Sequence, residues 1–234
     1  MKTKFHPYVL LLLVLLGLAS CETNKEGKSK MLDNSIMEVT TFSIDSAADP
    51  NKFAQLDKAV ENDFTSQQPG FIKRQSGIDD KGDYVVVVFW ESVKDAEASM
   101  AKFMGDASVA DYAQMIDGPT MKMARYTMDH PFEAKASQFV EIMSYSLNEG
   151  TDPEKFKAVN HRVETEFTGK RPGFLQRLTG ADESGAQVVA VYWASKETSD
   201  AALQPFMEAP IAGEFMQYMD QTTMVMGRYE FLDN

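Results

Sequence analysis

The chain repeats itself. A shift of 103 residues lays Asp49-Pro50 on Asp152-Pro153, Lys52-Phe53 on Lys155-Phe156, Phe64-Thr65 on Phe167-Thr168 and Pro69-Gly70-Phe71 on Pro172-Gly173-Phe174. The same shift lays Arg74 on Arg177, Gly77 on Gly180, Gly82 on Gly185, Trp90 on Trp193, Phe103-Met104 on Phe206-Met207 and Arg125-Tyr126 on Arg228-Tyr229. No gap is needed between Glu38 and Tyr126, so each copy is one structural unit and the chain must fold as two of them.

Each copy carries the same succession of elements. Residues 38–44 and 141–147 alternate as strands do. Asp49 and Asp152 can cap helices that start on Pro50 and Pro153. Phe53, Leu56, Val60 and Phe64 then recur on one helix face, as do Phe156, Val159, Val163 and Phe167. Pro69-Gly70 stops the helix and 71–77 reads as a second strand. The turns at 79–82 and 182–185 lead into third strands at 84–90 and 187–193. Ser92 and Ser195 cap a second helical region broken near Gly105 or Pro210, and 120–128 and 223–231 close the copies. The order β-α-β-β-α-β predicts an α+β fold, ferredoxin-like in each repeat.

The third strand says how the repeats meet. Val85, Val87 and Phe89 point one way, while Val86, Val88 and Trp90 point the other. Helices cover one face of such a sheet, and the other face is normally polar. Here both faces need cover. The two sheets are therefore expected to pack on each other within the chain as an α/β-barrel, which leaves the protein otherwise monomeric; the rival arrangement is two separated domains that each pair with another chain.

Ahead of the repeats stand Lys2 and Lys4, an apolar run from Tyr8 to Ala19, and Leu18-Ala19-Ser20-Cys21. This is the three-part layout of an export signal, and the apolar run is too short to span a bilayer comfortably. Leu18-Ala19-Ser20-Cys21 resembles the lipobox of bacterial lipoproteins. The resemblance implies cleavage before Cys21, acylation of its thiol, and a cell-envelope protein held to membrane lipid. The plainer reading is a signal cut near Ser20 that releases a soluble protein. The expected organisation is a signal at 1–20, a flexible spacer at 21–35, repeats at 36–129 and 139–232, and a linker at 130–138.

Cys21 is the single cysteine, so disulfides, cysteine-metal sites and thiol nucleophiles are excluded from the repeats. The net charge of −12 argues against nucleic acid as a partner.

The tandem unit, with Pro-Gly-Phe entering the second strand and 85–90 or 188–193 in the third, resembles the dimeric α/β-barrel superfamily. Within it, the antibiotic biosynthesis monooxygenase-like domains look most similar. That resemblance implies several activities: cofactor-independent oxygenation of phenols or quinols, haem binding or degradation, or no chemistry at all.

The residues weigh on these alternatives. Haem-degrading relatives use a histidine late in the second helical region, where this chain has 109–113 and 211–215 without one. His161 and His130 lie apart from any metal-forming cluster, so neither metal nor cofactor is expected. Arg74, Arg177, Arg125 and Arg228 can stabilise an anion, and Trp90 and Trp193 can stack on a ring; the plainer readings are salt bridges and core packing. Ser43 and Ser146, with Thr41 and Ser144, put small hydroxyls on one strand face, where they can line a cavity. The repeated methionines read as compliant core fill. The main expectation is an envelope lipoprotein that binds a small apolar or aromatic ligand or a protein partner. The alternatives are a cofactor-independent monooxygenase acting on a phenolic or quinol-like substrate, and a haem-binding or haem-degrading protein.

Overall fold

The computed structural model describes residues 35–133 and 135–232. The expected signal, Cys21 and all of the spacer but Ser35 lie outside the described residues. The first repeat comprises β1 (Ile36–Phe42), α1 (Pro50–Ala59), β2 (Phe71–Ile78), β3 (Tyr84–Trp90), α2 (Val93–Phe103), α3 (Ala110–Gln114) and β4 (Lys122–Met128). The second comprises β5 (Phe139–Leu147), α4 (Pro153–Arg162), β6 (Phe174–Ala181), β7 (Gln187–Trp193), α5 (Lys196–Glu208), α6 (Pro210–Met216) and β8 (Met219–Phe231). No helix among the described residues is long and apolar enough to cross a membrane.

The strands close into one barrel in the order β1-β3-β2-β8-β5-β7-β6-β4, with β4 returning to β1. Two short seams join the sheets: Gly77 pairs with Phe231, and its repeat partner Gly180 pairs with Met128. A Cβ on Gly180 would sit 2.4 Å from the Thr127 carbonyl oxygen, and one on Gly77 2.9 Å from that of Glu230. Only a residue without a side chain lets the strands close there.

The alternation of β3 works as its residues require. Val85, Val87 and Phe89 meet Val188, Ala190 and Tyr192 of β7 inside the barrel, while Val86, Val88 and Trp90 pack under the helices of the first repeat with Phe53, Phe64 and Tyr112. The equivalent outer core of the second repeat holds Trp193, Phe156, Phe167 and Phe215. The linker contributes to the barrel as well: Phe132 stacks on Phe89 at 4.3 Å between ring centroids and stands 5.6 Å from Tyr192.

Local chemistry sets the element ends. Asp49 and Asp152 accept from the first-turn amides of α1 and α4. Each helix then widens into a five-residue π turn, Val60–Phe64 or Val163–Phe167. The second helical regions break where expected, after Phe103 and between α5 and α6 at Pro210. The first strand ends earlier than the alternation predicts: the Ser43 hydroxyl turns to Asp83, and Ile44 makes only an isolated bridge to Ile116.

Candidate functional site

The repeats differ most where a buried arginine leaves the second strand. In the first repeat Arg74 and Asp57 are both fully buried, and Arg74 donates from Nη2 to Asp57 Oδ1 at 2.5 Å and from Nη1 to Oδ2 at 3.0 Å. Burial alone would lower the Arg74 pKa, but the hydrogen bonds and charge of Asp57 raise it above its ordinary value. The residue that follows Asp57 by one repeat is Asn160. Arg177 accordingly donates from Nη2 to the Asn160 amide oxygen at 2.5 Å and from Nη1 to its carbonyl at 3.1 Å. Arg177 is only 5% exposed and forms no ion pair among the described residues. Burial depresses its pKa to about 10, with Tyr145, Glu164 and Asp129 acting the other way. It remains a cation at neutral pH.

Beside Arg177 lies a cavity of about 190 Å³ between the outer face of the second sheet and its helices. An apolar cavity of ~150 Å³ accommodates benzene, so the space suits a small ring or a short chain. Val189, Val191 and Trp193 of β7 form its floor; Val163 and Phe167 of the π turn, Thr168 just after it, Phe206 of α5 and Phe215 of α6 form its walls. The π turn swings Val163 and Phe167 toward the sheet, a local widening often found at functional sites. Leu203, Met207, Met224 and Met226 line the outer end and are 40 to 58% exposed, which gives the cavity a flexible apolar mouth.

Glu141 and Ser199 supply the polar wall. Glu141 Oε1 accepts from Arg228 Nε at 3.0 Å and from the Ser199 hydroxyl, and Ser199 Oγ also accepts from Arg228 Nη2 at 2.6 Å. Arg228 reaches on to Asp200 at 2.7 Å. In the first repeat the network shrinks to Arg125 and Glu38 at 2.5 Å, since Ala96 stands where Ser199 does. Burial raises the Glu38 pKa above its ordinary 4.5, against the opposing pull of Arg125.

Of the residues singled out from sequence, the cavity gathers Arg177 and Trp193, with Arg228 behind Glu141. Trp90 and Arg74 sit in the first repeat's own core and ion pair, and Arg125 is held by Glu38. Ser43 and Ser146 take no part: the Ser43 hydroxyl is spent on Asp83, and the Ser146 amide donates to Thr223. The hydroxyl-bearing strand face turns into the barrel, which Phe89, Phe132, Tyr126, Tyr192 and Tyr229 fill; the cavity lies on the opposite face. The methionines divide: Met219 is buried and Met115 and Met216 pack against the outer cores as fill, whereas Met104, Met121, Met123, Met207, Met224 and Met226 are exposed. Asn160, Tyr145, Glu141 and Ser199 were not singled out from sequence. The exchanges of Asp57 for Asn160 and of Ala96 for Ser199 are visible by aligning the repeats and are the signals that point here.

The donor set does not fit haem. His130 and His161 are both exposed, neither lines the cavity, and a space of this size does not hold a tetrapyrrole. Among the described residues no group of three His, Cys, Asp or Glu side chains is placed to hold a metal ion.

No protein-family model and no curated protein matches the chain. Solved structures do. An anthrone oxidase-like protein superposes with a TM-score of 0.61 at 14% identity, covering 87% of this chain and 94% of its own. A chain from Lactobacillus acidophilus NCFM, provisionally described as a monooxygenase, gives a TM-score of 0.58 at 12% identity over 85% of this chain and 93% of its own. A mutant chlorite dismutase from Candidatus Nitrospira defluvii gives 0.58 at 10% identity over 86% and 94%. These likenesses correct the expectation of a membrane-anchored envelope lipoprotein carrying palmitate on Cys21. These chains are described as a monooxygenase, an oxidase-like protein and chlorite dismutases, and membrane lipid is withdrawn as a partner. The chain has a ferredoxin-like α+β fold, closed as a pseudo-dimeric eight-stranded barrel, in common with monooxygenase-like and chlorite dismutase-like proteins.

Proposed function

We propose that the protein is a cofactor-independent monooxygenase of small phenolic or quinol-like compounds, with its one working site in the second repeat. The observation that carries this reading is Arg177, a buried cation without a carboxylate partner beside a ring-sized apolar cavity. A phenol that enters such a cavity is stabilised as its anion by the guanidinium, because charge interactions strengthen where water is excluded. Glu141 is the carboxylate of the cavity wall. Both of its hydrogen bonds fall on Oε1, which leaves Oε2 to take a proton from the substrate.

The electron-rich anion then reduces dioxygen itself. One oxygen atom ends as a new carbonyl on the substrate carbon, and the other leaves as water with the two hydrogens that carbon and oxygen give up. Phe167, Phe215 and Trp193 hold the ring and keep bulk water from the anion. The likeness to an anthrone oxidase-like protein and to monooxygenase-type structures supports this class of reaction.

Oxygen uptake by the purified protein against a panel of hydroquinones, naphthols and anthrone-type phenols tests the reading. Turnover that falls at least a hundredfold in Glu141→Gln is the expected result. Uptake no faster than in buffer across the panel overturns it. In that case binding of a small aromatic or apolar compound without chemistry is the reading that stands, consistent with a Glu141 held on one oxygen by Arg228 and Ser199.

A further inference from the structure

We infer that the second-repeat cavity selects an amphipathic monoanion, a carboxylate or phenolate on an apolar body, which binds head-inward on Arg177 with one molecule per chain. This deepens the proposed function, resting on the same cavity while specifying the charge, orientation and stoichiometry of what enters.

Three observations converge on it. First, among the described residues Arg177 is bound through two of its five N–H groups, both by Asn160, a neutral residue. A guanidinium presents its donors as a planar fork that matches a two-oxygen anion. Second, the Glu141 carboxylate in the same cavity wall is already held by Arg228 and Ser199, whereas Arg177 has no carboxylate partner among the described residues, so an entering anion meets the unpaired charge of Arg177. Third, the way out from the arginine is apolar, through Phe206 to Leu203, Met207, Met224 and Met226. A charged group gains nothing along that route, whereas a ring or chain does. Charge at the inner end and an apolar mouth together orient the ligand.

The first repeat shows what the same architecture does when no anion is wanted. Asp57 fills the fork of Arg74 from within, and Tyr112, beside this pair, stands where the second repeat has Phe215. The internal carboxylate makes the first repeat self-neutralised, hence one ligand per chain.

The test is calorimetric titration of the full chain with sodium decanoate and 2-naphthoate against the uncharged decanol and 2-naphthalenemethanol. The expected result is one site per chain with the carboxylates at least tenfold tighter than the alcohols. Asn160→Asp should abolish that preference by supplying the internal carboxylate that Arg74 already has, and Arg177→Met should abolish it by removing the charge. Circular dichroism of each variant checks that the fold is intact, and Asn160→Asp is the decisive variant because it restores an ion pair the fold already contains. Equal affinity for acids and alcohols, two equivalent sites per chain, or an undiminished preference in folded Asn160→Asp overturns the inference. Carboxylate binding without oxygen uptake from any quinol leaves it standing while the monooxygenase reading falls. Quinol turnover without a charge preference does the reverse.

Discussion

Arg177 donates to Asn160 at the position where Arg74, one repeat earlier, donates to Asp57. The backbone geometry is preserved, down to the Nη1 contact with the helix carbonyl in both repeats, while one atom changes from a carboxylate oxygen to an amide nitrogen. Removing one member of a buried ion pair is far more damaging than replacing both, because a desolvated charge is left behind. The first repeat is arranged to avoid that penalty and the second carries it.

The difference makes stability respond oppositely to two matched substitutions. Asp57→Asn should cost about 3–5 kcal/mol by stranding Arg74. Asn160→Asp should raise stability, with the denaturation midpoint moving up and the slope unchanged. Guanidinium unfolding followed by tryptophan fluorescence reads both. A neutral Asp57→Asn would show that the fold tolerates the lone arginine without strain and would remove the contrast between the repeats.

Glu38 yields a pH dependence of opposite sense to the usual carboxylate. Burial raises its folded pKa above 4.5 despite Arg125, so the folded state holds the proton more tightly than the unfolded chain. The contribution is therefore fully present below pH 4.5 and lost as pH rises through the folded pKa. Glu38→Gln removes the titration. The variant should gain on the parent protein as pH is raised from 4 to 7, measured as the difference in urea midpoints. A difference that is constant over this range would mean that Arg125 balances the burial.

The fold was largely legible because it rests on periodicities. The two-residue alternation in Tyr84 to Trp90 required cover on both sides, and the repeat at Gly77 and Gly180 supplied the matching seams. The site was less legible because it depends on a departure from the repeat. Arg177 and Trp193 were marked by their conservation between copies, yet the informative residue is Asn160, where the copies disagree. Parity could group Thr41 with Ser43 but could not say that this face turns into a filled barrel. The π turn at Val163–Phe167, which shapes the cavity wall, leaves no separate trace in an apolar pattern that continues the helix.

The seams make a steric prediction. With the Thr127 carbonyl 2.4 Å from a Cβ on Gly180 and the Glu230 carbonyl 2.9 Å from one on Gly77, neither backbone oxygen can yield without opening the β4–β6 or β2–β8 pairing. Gly180→Ala should destabilise by about 1–3 kcal/mol, the usual range for forced overpacking, and Gly77→Ala by less. Hydrogen exchange should locate the loss at the Asp129 amide, which donates to the Thr179 carbonyl beside the seam. Exchange that stays slow there in a destabilised variant would place the strain elsewhere.

Phe132 turns the linker into part of the barrel. Its ring lies nearly parallel to Phe89, at 19° and 4.3 Å, and closes over Tyr192, whose buried hydroxyl has no partner and whose pKa burial holds well above the ordinary tyrosine value. Full burial of a phenylalanine is worth about 3–5 kcal/mol on truncation; Phe132 is only half-buried, so Phe132→Ala should cost about 2 kcal/mol on that scale. Truncation also admits water to the hydroxyl, which relieves the desolvation that keeps it protonated. The Tyr192 hydroxyl should then ionise at lower pH, seen as an earlier tyrosinate absorbance step in alkaline titration that Tyr192→Phe removes. Loss of stability without that shift would mean that Phe132 supports the barrel by stacking alone, and that water reaches Tyr192 by no route through the linker.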